Sequence, residues 1–170
     1  MHFLNAQSKR VLKWEAAKAI NNKDWSIAVQ YYNLLYRKDT TDNNIKFQYA
    51  ELCRLNYEID LAMNLYLSLS NSDQGQKFPL SFYWLAQLAK NKERYKEAKA
   101  WFTKFTLLKY TGERSEYYNS KANLEIASCD WAMEELKKKK KNAVEHISPS
   151  INSKSNEFAA IEKDSVLYFS

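Results

Sequence analysis

Apolar and polar residues follow one another along most of this chain at the three-to-four-residue spacing of helices, and one arrangement is written three times. The stretches "DWSIAVQYY" from Asp24, "EIDLAMNLY" from Glu58 and "RYKEAKAWF" from Arg94 share a frame. Each has an alanine with a large aromatic or β-branched residue three places before it and an aromatic four places after. The alanines are Ala28, Ala62 and Ala98, 34 and 36 residues apart; Trp25, Ile59 and Tyr95 precede them, and Tyr32, Tyr66 and Phe102 follow. Twelve residues upstream of each stands another alanine (Ala16, Ala50, Ala86), and three beyond that another small residue (Ala19, Cys53, Ala89). Small residues at helical spacing let two helices approach closely, while the aromatics fill the gap to the next unit.

The pattern predicts helix pairs over residues 9–42, 43–76 and 79–112. Their apolar positions are Leu12, Ala16, Trp25, Ala28 and Tyr32; then Tyr49, Ala50, Ala62 and Tyr66; then Phe82, Leu85, Ala86, Tyr95, Ala98 and Phe102. Lys46 stands where the other units carry a large apolar residue, so the second unit is the least regular. The polar turn "SNSDQGQKFP" absorbs the two extra residues before the third unit, and Pro79 suits the first turn of the helix that follows. From about Glu113 a seventh, amphipathic helix carries Tyr117, Leu124, Ile126, Trp131 and Leu136, which are expected to cover the last hydrophobic face. After residue 141 the character changes. Residues 142–156 are polar, contain the second proline and read as a linker. Residues 157–170 turn β-branched and aromatic around "KDS" and read as two strands of an unfinished β segment. The expected fold class is all-α over residues 1–141: three helix pairs and a closing helix, followed by that linker and short β segment.

Composition agrees and narrows the chemistry. Two glycines and two prolines in 170 residues favour long helices with short connections. The net charge of +6 invites a nucleic-acid reading, but five of the 26 basic residues form the run at 137–141; without it, 21 face 20 acidic residues. A lysine run at a helix C-terminus is favoured by the helix dipole, and the aromatics sit at core spacings instead of alternating with cations, which argues against nucleic acid. No apolar run is long enough to span a bilayer, and "MHFLNAQSKR" lacks an apolar core of signal-peptide length. Cys53 and Cys129 lie among apolar neighbours in helical patterns and read as buried core residues. His2 and His146 have no ligand-spaced companions, so neither a metal nor another cofactor is expected. Gly75 and Gly112 stand alone and form no phosphate cradle, and Glu134 and Glu135 are neighbours on a solvated helix. The residues point to binding and to no catalytic site.

With a period near 34, these residues resemble three tetratricopeptide repeats, a family whose fold is a right-handed superhelix of antiparallel helix pairs. "INSKSNEFAAIEKDSVLYFS" resembles the opening blade of a WD40-like propeller. Together with "EIASCDWA" in the closing helix, it is similar to OmpA-family outer-membrane proteins of Bacteroidetes-type bacteria, in a PorE-like arrangement. Ala159-Ala160 replaces the usual Ser/Ala-Pro of that blade. The resemblance implies a scaffold at the periplasmic face of the outer membrane that docks a type IX secretion or gliding partner such as a PorP/SprF-like barrel. It implies peptidoglycan contact only through a domain outside this sequence. A cytoplasmic adaptor for linear peptides is the other reading.

Repeat geometry also nominates a binding face. In stacked helix pairs the first helix of each lines the concave side, and its residues not used for packing are expected there. These are Arg10, Lys13 and Ala17 in the first pair, Phe47, Glu51 and Arg54 in the second, and Tyr83, Gln87 and Lys90 in the third. Four cations, one carboxylate and two aromatics would suit a partner segment with acidic and apolar groups. A known subclass of the family clamps a C-terminal carboxylate with Lys/Asn, Asn and Lys/Arg positions. Here those are Lys13/Ala17, Gln48 and Leu80/Trp84, so one of five is kept and that ligand is not expected.

Overall fold

The computed structural model describes residues 8–138, 161–163 and 166–168. Seven α-helices occupy the first stretch: α1 Lys9–Asn21, α2 Trp25–Lys38, α3 Asn43–Leu55, α4 Ile59–Ser70, α5 Pro79–Asn91, α6 Tyr95–Leu107 and α7 Ser115–Lys137. Each packs against the next in sequence, so α1/α2, α3/α4 and α5/α6 are the expected pairs and α7 closes the array. Lys138 begins a second compact unit, in which β1 (Ile161–Lys163) pairs antiparallel with β2 (Val166–Tyr168) in the register Ile161↔Tyr168. The expected linker at 142–156 lies outside the described residues, as do positions 139–141 of the lysine run.

The recurring small residues do what their spacing requires. Ala28, Ala62 and Ala98 are fully buried, as are Ala16, Ala50 and Ala86; Cys53 and Ala89 also have no exposed surface. Tyr66 and Phe102 are wholly buried, and Trp25, Ile59, Tyr95 and Tyr32 pack at the edge of the same core. The repeat extends to the backbone. Lys23, Tyr57 and Glu93, again 34 and 36 residues apart, all sit at positive φ (57°, 61°, 58°) between the two helices of their pairs. Each ends its helix with the same two bonds. Asp24, Glu58 and Arg94 donate to the carbonyls of Ala19, Cys53 and Ala89, and Lys23, Tyr57 and Glu93 donate to Ile20, Arg54 and Lys90. This is the left-handed helix stop that glycine usually fills. Here three non-glycine residues bear its steric cost, because the turn is fixed by the packing on either side.

The connection to the third pair is tighter than a polar turn suggests. It contains a 3-10 turn at Gly75–Lys77, folded back over the end of α4. A Cβ on Gly75 would lie 2.8 Å from the Ser70 carbonyl oxygen and 2.9 Å from that of Leu69, so glycine is needed for close approach. Pro79 opens α5, where its missing N–H costs nothing.

One irregular position is accounted for and one expectation needs correction. Lys46, the residue out of pattern, is buried all the same: 9% exposed, with its Nζ donating to Ser68 Oγ at 3.3 Å. A lysine stem fills apolar space as its head reaches a polar group. The closing helix does not turn its large apolar residues inward. α7 buries Ala122, Glu125 and Cys129, with Ile126 half-buried, whereas Tyr117, Leu124, Trp131 and Leu136 are 50–71% exposed. Small residues allow α7 to lie close on α5 and α6, whose own aromatics Tyr83, Phe102 and Phe105 already fill the last layer of the core.

Candidate partner-binding face

The first helices α1, α3 and α5 supply the face nominated by the repeat, and α7 continues it. On α1, Arg10 and Lys13 are exposed and neither makes an ion pair among the described residues, and Ala17 is exposed as well. On α3, Phe47 is half-buried against Tyr66 and Phe78, its ring centroid 6.3 and 5.6 Å from theirs. Glu51 pairs with Arg54 at 2.7 Å and accepts from the Tyr66 hydroxyl. Arg54 then crosses to α5, its guanidinium carbon 3.7 Å from the centre of the Trp84 ring. Burial works against the Arg54 charge, but the Glu51 carboxylate outweighs it and the guanidinium is held still more firmly protonated. Arg54 Nε is buried with no hydrogen-bond partner, since stacking on an indole leaves that edge unused.

A second bridge joins α5 to α7. Lys90 donates to Glu125 and, at 2.9 Å, to Ser128, and Lys121 reaches the other Glu125 oxygen at 3.0 Å. Burial alone would push the Glu125 carboxyl up; the hydrogen bonds from Lys90 and Lys121 more than offset it and hold the group below the ordinary carboxylate range. Glu125 is therefore a buried, ionised anchor for the closing helix.

These contacts redraw the expected groove. Arg54 and Lys90 are neutralised within the fold, so the nominated cations left exposed and without an ion-pair partner among the described residues are Arg10 and Lys13. Tyr83 is corrected outright. It is 3% exposed and packs edge-on against Trp84, Phe102, Phe105 and Tyr118, which makes it a core residue. Gln87 is half-buried on the same helix. The reason is angular. Lys13, Phe47 and Tyr83 occupy one repeat position, and a step of one residue turns a helix by about 100°. The later two look sideways at the next pair, Phe47 toward Phe78 and Tyr83 toward Tyr118. Trp14, Gln48 and Trp84, one residue on and again 34 and 36 apart, stand further out: Trp14 is 62% exposed, Gln48 is exposed and Trp84 is half-buried. The same spacing in the sequence marks them, but choosing between adjacent positions requires the direction to the neighbouring pair.

Other features of the described residues add little chemistry. Both thiols are buried and unpaired; burial, with the nearby Glu58 charge, pushes Cys53 up to about 12, and burial raises Cys129 as well. On the second-helix side, an open hollow of about 560 Å³ lies between the start of α6 and the end of α7, lined in part by Tyr95, Ala100, Met133 and Leu136. Among the described residues there is no cluster of His, Cys, Asp and Glu able to hold a metal, and no helix long and apolar enough to cross a membrane.

No protein-family model matches the chain, and no curated protein matches it by sequence. Solved structures do match in shape. The tetratricopeptide domain of Arabidopsis OM64 is 18% identical with a TM-score of 0.56, over 71% of this chain and 98% of that one. The Yersinia enterocolitica type III secretion translocator chaperone SycD is 17% identical with a TM-score of 0.64, over 78% and 92%. PcrH in complex with the chaperone-binding region of PopD is 13% identical with a TM-score of 0.63, over 75% and 97%. The fold is thus an all-α tetratricopeptide-repeat superhelix.

Proposed function

We propose that this chain is a non-catalytic protein-interaction scaffold that docks a segment of a protein partner along its first-helix face. The observation that carries the reading is the surface left over once internal pairs are assigned: Arg10 and Lys13, exposed and without an ion-pair partner among the described residues, share α1 with the exposed indole of Trp14. Gln48 and half-buried Trp84 extend the face across the next two pairs. Aromatic and arginine side chains dominate measured interface energies, so such a strip suits a segment carrying carboxylates beside apolar groups. PcrH, of the same fold, was solved with a segment of another protein, which supports a segment as the ligand type.

The setting we propose is the bacterial envelope, at the periplasmic face of the outer membrane, with a type IX secretion or gliding component such as a PorP/SprF-like barrel as partner. This rests on the resemblance in "INSKSNEFAAIEKDSVLYFS" and on the hairpin at Ile161–Lys163 and Val166–Tyr168 within that phrase. A cytoplasmic peptide adaptor would use the same face in another compartment.

The test compares capture from envelope extracts by the unaltered chain, by Arg10→Glu with Lys13→Glu, and by a variant with serine at all five positions 137–141. The double reversal is expected to lose the partner and the serine variant to retain it. The opposite result would place recognition at the lysine run and end the reading.

A further inference from the structure

α7 has two dressed faces, and the array uses one. Tyr118, Glu125 and Ser128 face α5, and Asp130 is held to α6 by Lys99 at 2.6 Å. On the opposite side run Tyr117, Ser120, Leu124, Ala127 and Trp131, all exposed. Their steps of three and four residues return to one line every seven, as in a coiled-coil seam. The helix has 23 residues, against 12–14 in the other six, so the seam is long enough for several layers. Large and small residues alternate along it: Tyr117, Leu124 and Trp131 in one set of positions, Ser120 and Ala127 in the other.

From this we infer that α7 is a self-association surface, pairing antiparallel with α7 of a second copy of the chain. In that arrangement Leu124 packs on the partner's Ala127 and Trp131 on the partner's Ser120, while Tyr117 lies at the edge of the seam opposite the partner's Glu134. The flanks match in charge. Glu116 lies opposite the partner's Lys137, and Asn123 opposite the partner's Asp130, with no like charges opposed. A parallel pair fails on both counts. It sets Trp131 on Trp131 and Ala127 on Ala127, and brings Glu134 against Glu134. Self-complementarity of size and charge in one orientation is what a two-fold interface requires, and an unrelated partner would not impose it on a single helix. One helix per copy gives an interface at the small end, below ~1,200 Å² in total, so monomer and dimer should exchange with concentration.

Light scattering on the full chain, over two decades of concentration, reads the mass directly. It is expected to rise from 20.1 kDa toward twice that value. Leu124→Glu, at a site 62% exposed and so harmless to the fold, should keep the chain monomeric with an unchanged helical circular-dichroism signal. Glu116→Lys should weaken association at least tenfold, and adding Lys137→Glu should restore it. A mass of 20.1 kDa at every concentration overturns the inference, whether the seam is covered by the chain's own C-terminal residues, kept for another protein or simply solvated. So does a dimer that survives Leu124→Glu, or a double reversal no better than the single one.

Discussion

Replacing Glu125 by glutamine separates its charge from its shape, and the structure sets the size of the effect. The carboxylate is 5% exposed and accepts from Lys90 and Lys121, and Lys90 also donates to the Ser128 hydroxyl. Removing one partner from a fully buried ion pair costs about 3–5 kcal/mol. Here the two lysine side chains remain 23% and 37% exposed, and glutamine retains an oxygen that can accept from one of them. A loss of about 1.5–3 kcal/mol at neutral pH follows, the range for hydrogen bonds to charged groups. For a chain of this size that is a fall in Tm of about 2–4 °C per kcal/mol. The pH dependence fixes the sign. Because the folded carboxyl is held below its ordinary value, its contribution is complete above the unfolded value of about 4.3 and is lost as pH falls through the lower folded value. Urea midpoints followed by helical circular dichroism should therefore differ most at pH 7 and converge in acid. Equal midpoints at pH 7, or a gap that widens as pH falls, would show that the bridge does not hold α7 and that Lys90 is available to a ligand after all.

Three further results are expected. Ala98→Leu should lower the denaturation midpoint by about 1–3 kcal/mol, because a fully buried contact between helices has no room for three more carbons; an unchanged midpoint would mean the repeat is misphased. Lys46→Leu should leave stability unchanged or raise it, since a buried lysine stem whose part-buried amine makes a 3.3 Å bond to Ser68 is replaced by the apolar residue found at Leu12; a clear loss in urea would contradict this. Cys53 and Cys129 should stay unreactive to a thiol reagent at neutral pH until the chain is unfolded, burial having raised both; rapid labelling of the native chain would refute their burial.

The sequence was most legible where one constraint repeats. Ala28, Ala62 and Ala98 could be located because helix contact tolerates only a small side chain and the array demands it three times. The helix stops at Lys23, Tyr57 and Glu93 obey the same period but gave no residue-type signal, because each is an unusual choice at positive φ. The binding face was only partly legible. Repeat position alone could not tell Tyr83 from Trp84, since one looks into the next pair and the other stands further out, and that difference depends on Tyr118, 35 residues downstream of Tyr83. Arg54 and Lys90 read as free cations because their neutralising partners, one a turn away and one on α7, become neighbours only through packing. The two faces of α7 were confused because both carry apolar residues. The inward one is the poorer in large side chains.

The central claim is that the first-helix face receives the partner. Installing a photo-crosslinking amino acid at exposed Gln48 on α3, and separately at exposed Lys96 on α6, asks this without assuming which contacts matter. Irradiation of the chain bound to its captured partner should give an adduct from position 48 and none from position 96. An adduct from position 96 alone would put the partner on the second-helix side and contradict the account.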